Sequence, residues 1–297
     1  MNIIDCTNCG GDSKFFFNAF DVNRMITKER FTYRKCLSCG LVFLTNVPSN
    51  LNIYYPDEYY PIPSINRINK LSKKNQYQVD MISKFAPKKG RMLEIGSAYG
   101  VFANQANKSG YIVDSIEMSR ICCDFLSNKL GIKAYQSDTP QDIIPRLESD
   151  YNVVAMWHNI EHLLNPWIVI ERAVEKISPG GIFLIATPNP DSVAFRILGS
   201  FWPHVDAPRH INLIPENLLT KKLKGLGFEL VLKTSNDKGG KSWNRFTWQR
   251  LLMNSIPLRK LDKIFFILGW IISIPFSLLE NRKLNGSCYT VIYQKIK

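Results

Sequence analysis

The sequence lacks several features that would each place it in a particular class of protein. Its first residues, MNIIDCTNCG, contain no continuous apolar segment, so we expect no secretory signal and a cytoplasmic location. It has no internal repeat and no long low-complexity tract. With 45% hydrophobic residues and only 17 glycines and 16 prolines among 297 residues, the chain is neither wholly disordered nor collagen-like. We therefore expect one large core, with or without a small additional domain.

Positive charge exceeds negative charge by a wide margin. The chain has 38 Lys and Arg residues against 25 Asp and Glu, a formal net charge of +13. The segment from Lys241 to Lys297 contains ten Lys or Arg and two Asp or Glu. Such a basic segment can bind nucleic acid, anionic lipid headgroups or phosphorylated substrates, or can simply keep the protein soluble. Charge alone does not distinguish these alternatives.

Cysteine occurs at seven positions, and four of these form two close pairs with the spacing C-x2-C, 26 residues, C-x2-C. Two such pairs supply the four thiolates that zinc prefers in a structural site. A glycine follows each pair and allows a tight turn with backbone amides directed at the sulfurs. The sequence therefore predicts a zinc site without an open position for catalysis, with the ligands Cys6, Cys9, Cys36 and Cys39.

Three regions follow one another along the chain. Residues 1–46 are predicted to form a zinc-ribbon-like module, 47–85 an aromatic and helix-compatible linker, and 86–297 the main domain. In the main domain, β-like runs such as RMLEIG, YIVDSIE and YNVVAMW alternate with helix-compatible segments. This alternation predicts an α/β fold with a doubly wound parallel sheet. Residues 234–286 are expected to form an insertion that starts as an irregular polar stretch and then becomes apolar and basic.

A glycine-rich turn follows the first strand of the main domain, in LEIGSAYGVFANQA. Its pattern E-x-G-x-x-x-G differs from the dinucleotide-binding G-x-G-x-x-G, which indicates a ligand without a pyrophosphate. An acidic residue at the strand end suits a cation, and S-adenosylmethionine carries both an ammonium and a sulfonium. Gly96 and Gly100 would let the backbone approach this ligand closely. Glu94 would face the ammonium, directly or through water.

Two further acidic residues are predicted at the ends of later strands. Glu117 ends the second strand, where a carboxylate can accept both ribose hydroxyls, and Asp138 follows the β-compatible GIKAY at a place suited to adenine. Taken singly, Glu117 could be a solvated strand end and Asp138 a helix N-cap. Open α/β sheets, however, bind ligands at the carboxyl ends of their strands. The predicted cofactor-binding residues are Glu94, Gly96, Ser97, Gly100, Glu117, Met118, Ser137, Asp138 and Trp157.

Together, EIGSAYG, the strand-end Glu117, MWHNIEHLLNP, SPGGIFLIATPNP and GLGFEL resemble class I S-adenosylmethionine-dependent methyltransferases. The resemblance covers about 86–233 plus the last strand, and it is strongest to ubiquinone-pathway O-methyltransferases and bacterial sugar methyltransferases. It implies a seven-stranded sheet with a reversed last strand, which CYTVIYQKI would supply. The four-cysteine unit is similar to the zinc-binding module of some sugar methyltransferases. The insertion 234–286 exceeds the minimal core of the family.

Histidine is scarce, and its four positions limit the candidates for a general base. We predict His210 or His158 as the base and leave the choice between them open. Glu161 and His162 are further candidate catalytic residues, predicted on the first turn of the next helix, where each could instead have a purely structural role. With His210 they could also gather a metal, as in ubiquinone-type relatives, although no spacing demands it. His204 shares a Pro- and aromatic-rich loop with His210.

The predicted acceptor is a hydroxyl group on a sugar or related small molecule. The loop MWHNIEH lacks the Asp/Asn-Pro-Pro-aromatic signature of amino-methylating DNA enzymes and contains no cysteine for attack on cytosine, which makes nucleic acid an unlikely substrate. Carbon methylation of a nucleotide sugar, an RNA-associated protein and a non-catalytic scaffold remain alternatives. Aromatic rings can stack on sugars but often only fill a core. The predicted substrate-binding residues are Tyr59, Tyr60, Trp202 and Arg209.

Near the end of the chain, residues 264–279 form a run of sixteen uncharged residues, IFFILGWIISIPFSLL. A helix that spans a bilayer needs about 20 residues, and we expect Pro275 to interrupt this one. Two interpretations remain: a buried hairpin or dimer surface, or peripheral insertion into an anionic membrane at its inner face. The second is favoured by the flanking basic residues, which are Arg259, Lys260, Lys263, Arg282 and Lys283.

Overall fold

A small antiparallel sheet comes first in the computed structural model, which describes residues 4–56, 59–87, 89–255 and 259–296. Its strands are β1 (Ser13–Ala19), β2 (Phe31–Cys36) and β3 (Val42–Leu44). β2 pairs with both neighbours, and Ser13 at the start of β1 lies opposite Cys36 at the end of β2. The cysteine pair before β1 and the pair at the end of β2 therefore meet at one end of the small sheet. The helices α1 (Ile65–Lys74) and α2 (Gln76–Ile82) then lead into the main domain.

Strands and helices alternate through the main domain, as the sequence predicts. They are β4 (Gly90–Ile95), α3 (Val101–Lys108), β5 (Tyr111–Glu117), α4 (Arg120–Leu130), β6 (Lys133–Gln136), α5 (Pro140–Ile143), β7 (Tyr151–Trp157), α6 (Pro166–Glu175), β8 (Ile177–Pro188), α7 (Val193–Leu198), β9 (Asn212–Leu213), α8 (Glu216–Gly225), β10 (Phe228–Thr234), α9 (Lys238–Ser255), α10 (Asp262–Glu280) and β11 (Cys288–Lys295).

Seven of these strands form one sheet in the order β10-β11-β8-β7-β4-β5-β6. β4 to β8 run parallel, whereas β11 is antiparallel to both β8 and β10. This confirms the predicted seven-stranded sheet with a reversed last strand. Apolar residues cover both faces, which is why these strands read as nearly continuous hydrophobic runs. One face carries Leu93, Ile116 and Phe183, and the other Met92, Val113 and Leu184.

The small sheet is attached to the main domain by backbone pairing and by a buried ion pair. β9 adds to the edge of β3, with Val42 opposite Leu213. Arg209 lies two residues before Ile211 and donates to Asp21 of the small sheet at 2.6 Å and to Asp206 at 2.8 Å. Because the main domain supplies one strand of the small sheet, and because Leu41 and Phe43 pack in the core of the large sheet, the module is held firmly beside the large sheet. The predicted boundaries at residues 46 and 86 stay predictions.

The insertion 234–286 differs from the expectation in two ways. The stretch expected to be irregular is the helix α9, and α10 runs through Pro275 without a break. The proline removes one hydrogen-bond donor, but contacts with α9 hold the helix on both sides of it. Gly269 packs against Gln249 before the proline, and Phe276 stacks on Trp248 after it, at 3.9 Å between ring centroids. Tertiary contacts therefore outweigh the local cost of the proline.

Candidate active site

A pocket of about 630 Å³ lies at the carboxyl edge of the large sheet. The turn after β4 and the ends of β5, β6 and β7 form one wall. The aromatic segment before α1, the loop around His210 and one face of α9 form the other. Such an edge is where open α/β sheets bind their ligands, because the connecting loops diverge there. The glycine turn, the strand-end carboxylates and the histidine cluster all face this one space or lie directly behind it.

The glycine turn after β4 owes its shape to Gly96 and Gly100. Gly96 has φ +80°, and a Cβ atom on it would lie 2.2 Å from the Asn159 side-chain nitrogen. Gly100 has φ +83°, and its Cβ would lie 2.5 Å from a methyl group of Leu126. Only glycine fits either position. Gly96 lines the pocket, whereas Gly100 lets α3 begin close against α4.

Glu117 ends β5 and fixes the turn from the opposite side. Its carboxylate accepts hydrogen bonds from the backbone N–H groups of Ala98, at 2.8 Å, and Ser119, at 2.9 Å. Burial raises the pKa of Glu117, although these N–H groups act against the rise. Because the side chain also lines the pocket, it offers acceptor oxygens to a ligand lying beside the turn. The alternative of a solvated strand end does not fit a side chain only 3% exposed.

Glu94 is buried behind the turn rather than on the pocket wall. Burial raises its pKa to about 8, and the nearby Glu117 adds to the rise. One of its oxygens has no hydrogen-bond partner in the described part of the chain. Ser97 lies beside it and accepts a hydrogen bond from Ser115 at 2.6 Å. Glu94 and Ser97 therefore support the turn from behind, and a ligand ammonium would reach Glu94 only at the turn itself.

The remaining predicted cofactor residues lie on the pocket wall. Met118, Ser137, Asp138 and Trp157 all line it, at the ends of β5, β6 and β7. Asp138 is not a helix cap, because the capping residue of α5 is Thr139. Trp157 and Asn159 each have a buried polar side-chain atom without a partner among the described residues. Unpaired buried polar atoms are rare in folded proteins, so a polar ligand in this pocket would fit them.

Three side chains that are able to ligate a metal ion meet at the other end of the pocket: Glu161, His162 and His210. Their ligand atoms all lie within 4.8 Å of one another. His210 donates from Nδ1 to the backbone oxygen of His204 at 2.7 Å, which leaves Nε2 as an acceptor. His162 Nδ1 lies 3.0 Å from the backbone oxygen of Arg209 and 3.0 Å from the Tyr55 hydroxyl.

The charge state of this cluster follows from its neighbours. Burial alone would raise the pKa of Glu161, but the adjacent histidines lower it to about 2. Burial, together with the nearby His210, lowers the pKa of His162 to about 4. At neutral pH the cluster therefore holds a carboxylate beside a neutral imidazole. Such a set can accept a proton or bind a divalent metal ion, and one Glu161 oxygen has no hydrogen-bond partner in the described residues.

Glu161 and His162 are not on the first turn of a long helix, as the sequence suggested. They lie in a single 3₁₀ turn, Ile160–His162, and α6 begins only at Pro166. His158 precedes this turn with φ +50° and also lines the pocket, with Nδ1 3.7 Å from Glu161. Proline at the start of α6 delays the helix and leaves a loop, which places the Glu161 side chain under the pocket floor.

A family model described as a methyltransferase domain matches residues 68–233, more than half of the chain. The chain belongs to this methyltransferase family. The matched region contains the glycine turn, Glu117 and the histidine cluster, and leaves out most of the small sheet, the α9–α10 pair and β11. The family therefore accounts for the pocket wall formed by the strand ends and for the histidine cluster, but not for the pocket residues before residue 68 or on α9.

Curated relatives match a shorter part of this methyltransferase. A ubiquinone biosynthesis O-methyltransferase from Xylella fastidiosa is 23% identical over 128 residues, which cover 41% of this chain and 52% of that protein. The protein of the same name from Ralstonia nicotianae is 24% identical over 128 residues, covering 41% and 54%. The chain thus spans about half the length of the curated relatives it matches.

Solved structures confirm the fold of the methyltransferase. An S-adenosylmethionine-dependent methyltransferase from Archaeoglobus fulgidus is similar with a TM-score of 0.50 and 17% identity, covering 75% of this chain and 94% of that one. The cyclopropane synthase MmaA2 from Mycobacterium tuberculosis gives a TM-score of 0.52 at 11% identity, covering 74% and 84%. At these identities the likeness shows the fold alone, and the predicted class I α/β architecture is confirmed.

Of the four predicted substrate-binding residues of the methyltransferase, two line the pocket and two are buried elsewhere. Tyr59 and Tyr60 line the pocket, with ring centroids 4.8 Å apart. Trp202 does not: it is 1% exposed and packs against Phe195 in the core beside the small sheet. Arg209 is fully buried in its ion pairs with Asp21 and Asp206 and cannot reach an acceptor. Both were predicted from residue type alone, and packing assigns them to the core instead.

Several pocket residues were not predicted from the sequence. Asn159 and Tyr55 touch predicted site residues, and Asn23 and Arg24 reach the pocket from the loop after β1. On α9, Trp243, Phe246 and Arg250 line the pocket together. These three lie at positions i, i+3 and i+7, the spacing of one helix face, which groups them only once α9 is known to be a helix.

The four cysteines of the small sheet converge as predicted. The sulfurs of Cys6 and Cys39 lie 3.6 Å apart, as do those of Cys9 and Cys36. Zinc–sulfur bonds of about 2.3 Å in a tetrahedron imply sulfur–sulfur distances of about 3.8 Å, close to these values. Gly10 and Gly40 follow the pairs with φ +66° and +77°. The residues present therefore fit a zinc ion.

Proposed function

We propose that this protein transfers the methyl group of S-adenosylmethionine to a hydroxyl group on a sugar or related small molecule. One observation carries the proposal: a single pocket holds the glycine turn with Glu117 at one end and the Glu161, His162 and His210 cluster at the other. The first end suits a nucleoside with hydroxyls, and the second suits removal of a proton. Membership of the methyltransferase family supports the reaction class.

The cofactor would lie along the ends of β4, β5 and β6. Glu117 would accept the ribose hydroxyls, Asp138 and Ser137 would lie near the adenine, and Gly96 would permit close approach of the backbone. Bound S-adenosylmethionine supplies a methyl group on a positively charged sulfur, which a nucleophilic oxygen can displace. The carboxylates around this end of the pocket favour a cationic ligand over an anionic one.

A histidine would take the proton of the acceptor hydroxyl. We favour His210 because its Nδ1–H group is hydrogen-bonded to the backbone oxygen of His204, which leaves Nε2 free to accept that proton. Asp206 lies 3.9 Å from Nε2 and would stabilise the imidazolium that forms. His158 remains the alternative, because it lines the same pocket and lies next to Glu161. If a metal ion occupied the cluster, it would lower the pKa of the acceptor hydroxyl instead.

The aromatic and basic end of the pocket supports a sugar-like acceptor. Tyr59, Tyr60 and Trp243 present rings, and Arg24 and Arg250 present guanidinium groups. Rings of this kind stack on sugar faces, and guanidinium groups bind hydroxyls or phosphates. The curated relatives are named as O-methyltransferases, which supports an oxygen acceptor. Carbon methylation of a nucleotide sugar and binding of RNA are the competing proposals.

Two further proposals concern the whole protein. A structural zinc ion would be held by the four converging cysteines of the small sheet, supported by the sulfur separations of 3.6 Å. A cytoplasmic location is proposed from the composition and from the three cysteines of the main domain, which are free thiols.

The acceptor class can be tested by screening nucleotide-activated sugars, lipid-linked sugars and RNA with radiolabelled S-adenosylmethionine. We expect label on an oxygen of a sugar. His210→Asn and His158→Asn are then compared with the unaltered protein on that acceptor. Loss of the base should lower kcat by about 100-fold or more in one of the two variants, while affinity for S-adenosylhomocysteine stays unchanged. Label found only on RNA, or full activity in both variants, would contradict the proposal.

A further inference from the structure

The helix α10 is unusual because large apolar side chains are exposed around most of its circumference. Ten of them between Ile264 and Leu279 are solvent-exposed, among them Ile267 at 57% and Leu278 at 70%. By length and composition, Asp262–Glu280 is also the one helix in the described residues that could cross a membrane. A monomeric soluble protein rarely leaves so large an apolar area in water, so this surface needs an occupant.

A narrow stripe attaches α10 to the rest of the protein. Phe265, Gly269, Ser273 and Glu280 are the buried residues of the helix. A Cβ atom on Gly269 would lie 2.4 Å from the Cα atom of Gln249, so the two helices cross in close contact there. The Trp248 indole donates to the Glu280 carboxyl at 3.1 Å. The helix is thus held against α9 between Gly269 and Glu280, with its remaining faces directed outward.

The exposed charged side chains at the two ends of this helix are positive, whereas its first residue, Asp262, is half-buried. Lys260 lies just before the helix, Lys263 lies in its first turn, Arg282 and Lys283 lie just after it, and all four are exposed. The only carboxylate between Lys263 and Lys283 in the sequence is Glu280, which is 1% exposed. A long apolar surface bounded by cations at both ends matches an anionic lipid interface, with the side chains in the acyl region and the cations among the headgroups.

We propose that α10 lies in the surface of an anionic lipid bilayer and docks the protein there. The helix lies along the interface rather than across it. α9 packs against it between Gly269 and Glu280 and carries Lys241, Arg245 and Arg250, which could not follow it into the hydrocarbon. Nineteen residues at about 1.5 Å each also give only about 28 Å, just short of the hydrocarbon thickness. The buried stripe anchors the helix to the protein while the opposite faces enter the lipid.

A second copy of this chain fits the surface less well. Two copies related by a twofold axis would place their α10 helices antiparallel or at an angle. In the antiparallel arrangement Lys260 and Lys263 of one copy meet Arg282 and Lys283 of the other, which is repulsive. Anionic headgroups instead neutralise both ends at once. The docking surface is inferred from the chain itself and does not depend on which acceptor the pocket takes.

Vesicle flotation tests this inference on the full-length protein. Vesicles of phosphatidylcholine alone are compared with vesicles containing 30% phosphatidylglycerol, at low and high salt. We expect the protein to float with the anionic vesicles, less at high salt. Replacing Ile267 and Ile271 by Glu should lower partitioning at least about tenfold. The matched control carries Ile112→Glu and Ile168→Glu, at exposed positions on β5 and α6, and should float like the unaltered protein.

A second pair of variants measures the contribution of the flanking charges to membrane binding separately from that of the apolar face. Lys263→Gln and Lys283→Gln should each lower binding to anionic vesicles about fivefold, without changing the weak binding to neutral ones. Absence of flotation with anionic vesicles, or equal loss in the Ile112/Ile168 control, would overturn the inference. So would a dimer of the unaltered protein in light scattering that the Ile267/Ile271 variant converts to a monomer, since the occupant would then be a second copy.

Discussion

At the scale of single residues, the pocket is defined by a few side chains whose roles follow from their position in the fold. Gly96, Glu117 and Asp138 come directly after strands, and parallel strands end at one edge, so their convergence could be predicted. Trp202 and Arg209 belong to a long loop whose path no local pattern specifies. Their burial against the small sheet depends on contacts between distant segments, which the sequence does not reveal.

Glu117 provides the first prediction at this scale. Glu117→Gln should weaken binding of S-adenosylhomocysteine at least about tenfold, because a charged acceptor of hydrogen bonds is replaced by a neutral one. Isothermal titration calorimetry measures the affinity. Asp124→Asn on the exposed side of α4 is the matched control and should bind normally. Equal affinity in both variants would show that Glu117 does not touch the cofactor.

At the scale of elements, the sheet was predictable and the α9–α10 pair was not. Buried parallel strands such as YNVVAMW are recognisable because they are apolar throughout and short. α9 has polar and aromatic residues mixed around its circumference, since one side lines the pocket and another packs on α10. A helix with two different contact faces lacks the single apolar stripe that identifies helices in a sequence. α10 was not predicted as one helix for a different reason, namely that Pro275 was expected to interrupt it.

The contact between α9 and α10 predicts an unusual dependence of stability on pH. Burial raises the pKa of the Glu280 carboxyl group from 4.5, its ordinary value, to about 7. Between these two pH values the carboxyl group is therefore protonated in the folded protein and ionised in the unfolded chain. The free energy of unfolding should therefore fall as pH rises from about 4.5 to 7. Glu280→Gln removes this contribution and still accepts the Trp248 hydrogen bond. Thermal melting should show the variant more stable than the unaltered protein at pH 8, and a less stable variant there would contradict the assignment.

At the scale of the whole molecule, the small cysteine-bearing sheet and the methyltransferase domain behave as one structure. β3 pairs with β9, and Asp21 pairs with Arg209, so the loop holding His210 is attached to the small sheet on both sides. The cysteine spacing alone predicted the thiolate cluster. It could not predict that the module completes the pocket through Asn23 and Arg24, because that depends on how the two sheets dock.

This coupling predicts that loss of one of the four clustered cysteines also weakens cofactor binding in the methyltransferase domain. Cys9→Ser should lose bound zinc, measured by atomic emission, and should lower the melting temperature and the affinity for S-adenosylhomocysteine together. Cys122→Ser, at a buried cysteine of α4, is the control and should retain one zinc per chain. Zinc absent from the unaltered protein, or retained in Cys9→Ser, would contradict a four-cysteine site.

The central claim is that the glycine turn after β4 binds S-adenosylmethionine. It is tested most directly by calorimetry with S-adenosylhomocysteine on Gly96→Ala and Gly180→Ala. Both glycines have φ near +75° to +80°, but only the Cβ at Gly96 would meet Asn159, and the one at Gly180 would meet nothing within 4 Å. The account predicts one bound ligand per chain in the unaltered protein and in Gly180→Ala, and strongly reduced binding in Gly96→Ala. Equal binding by both variants, or none by the unaltered protein, would contradict it.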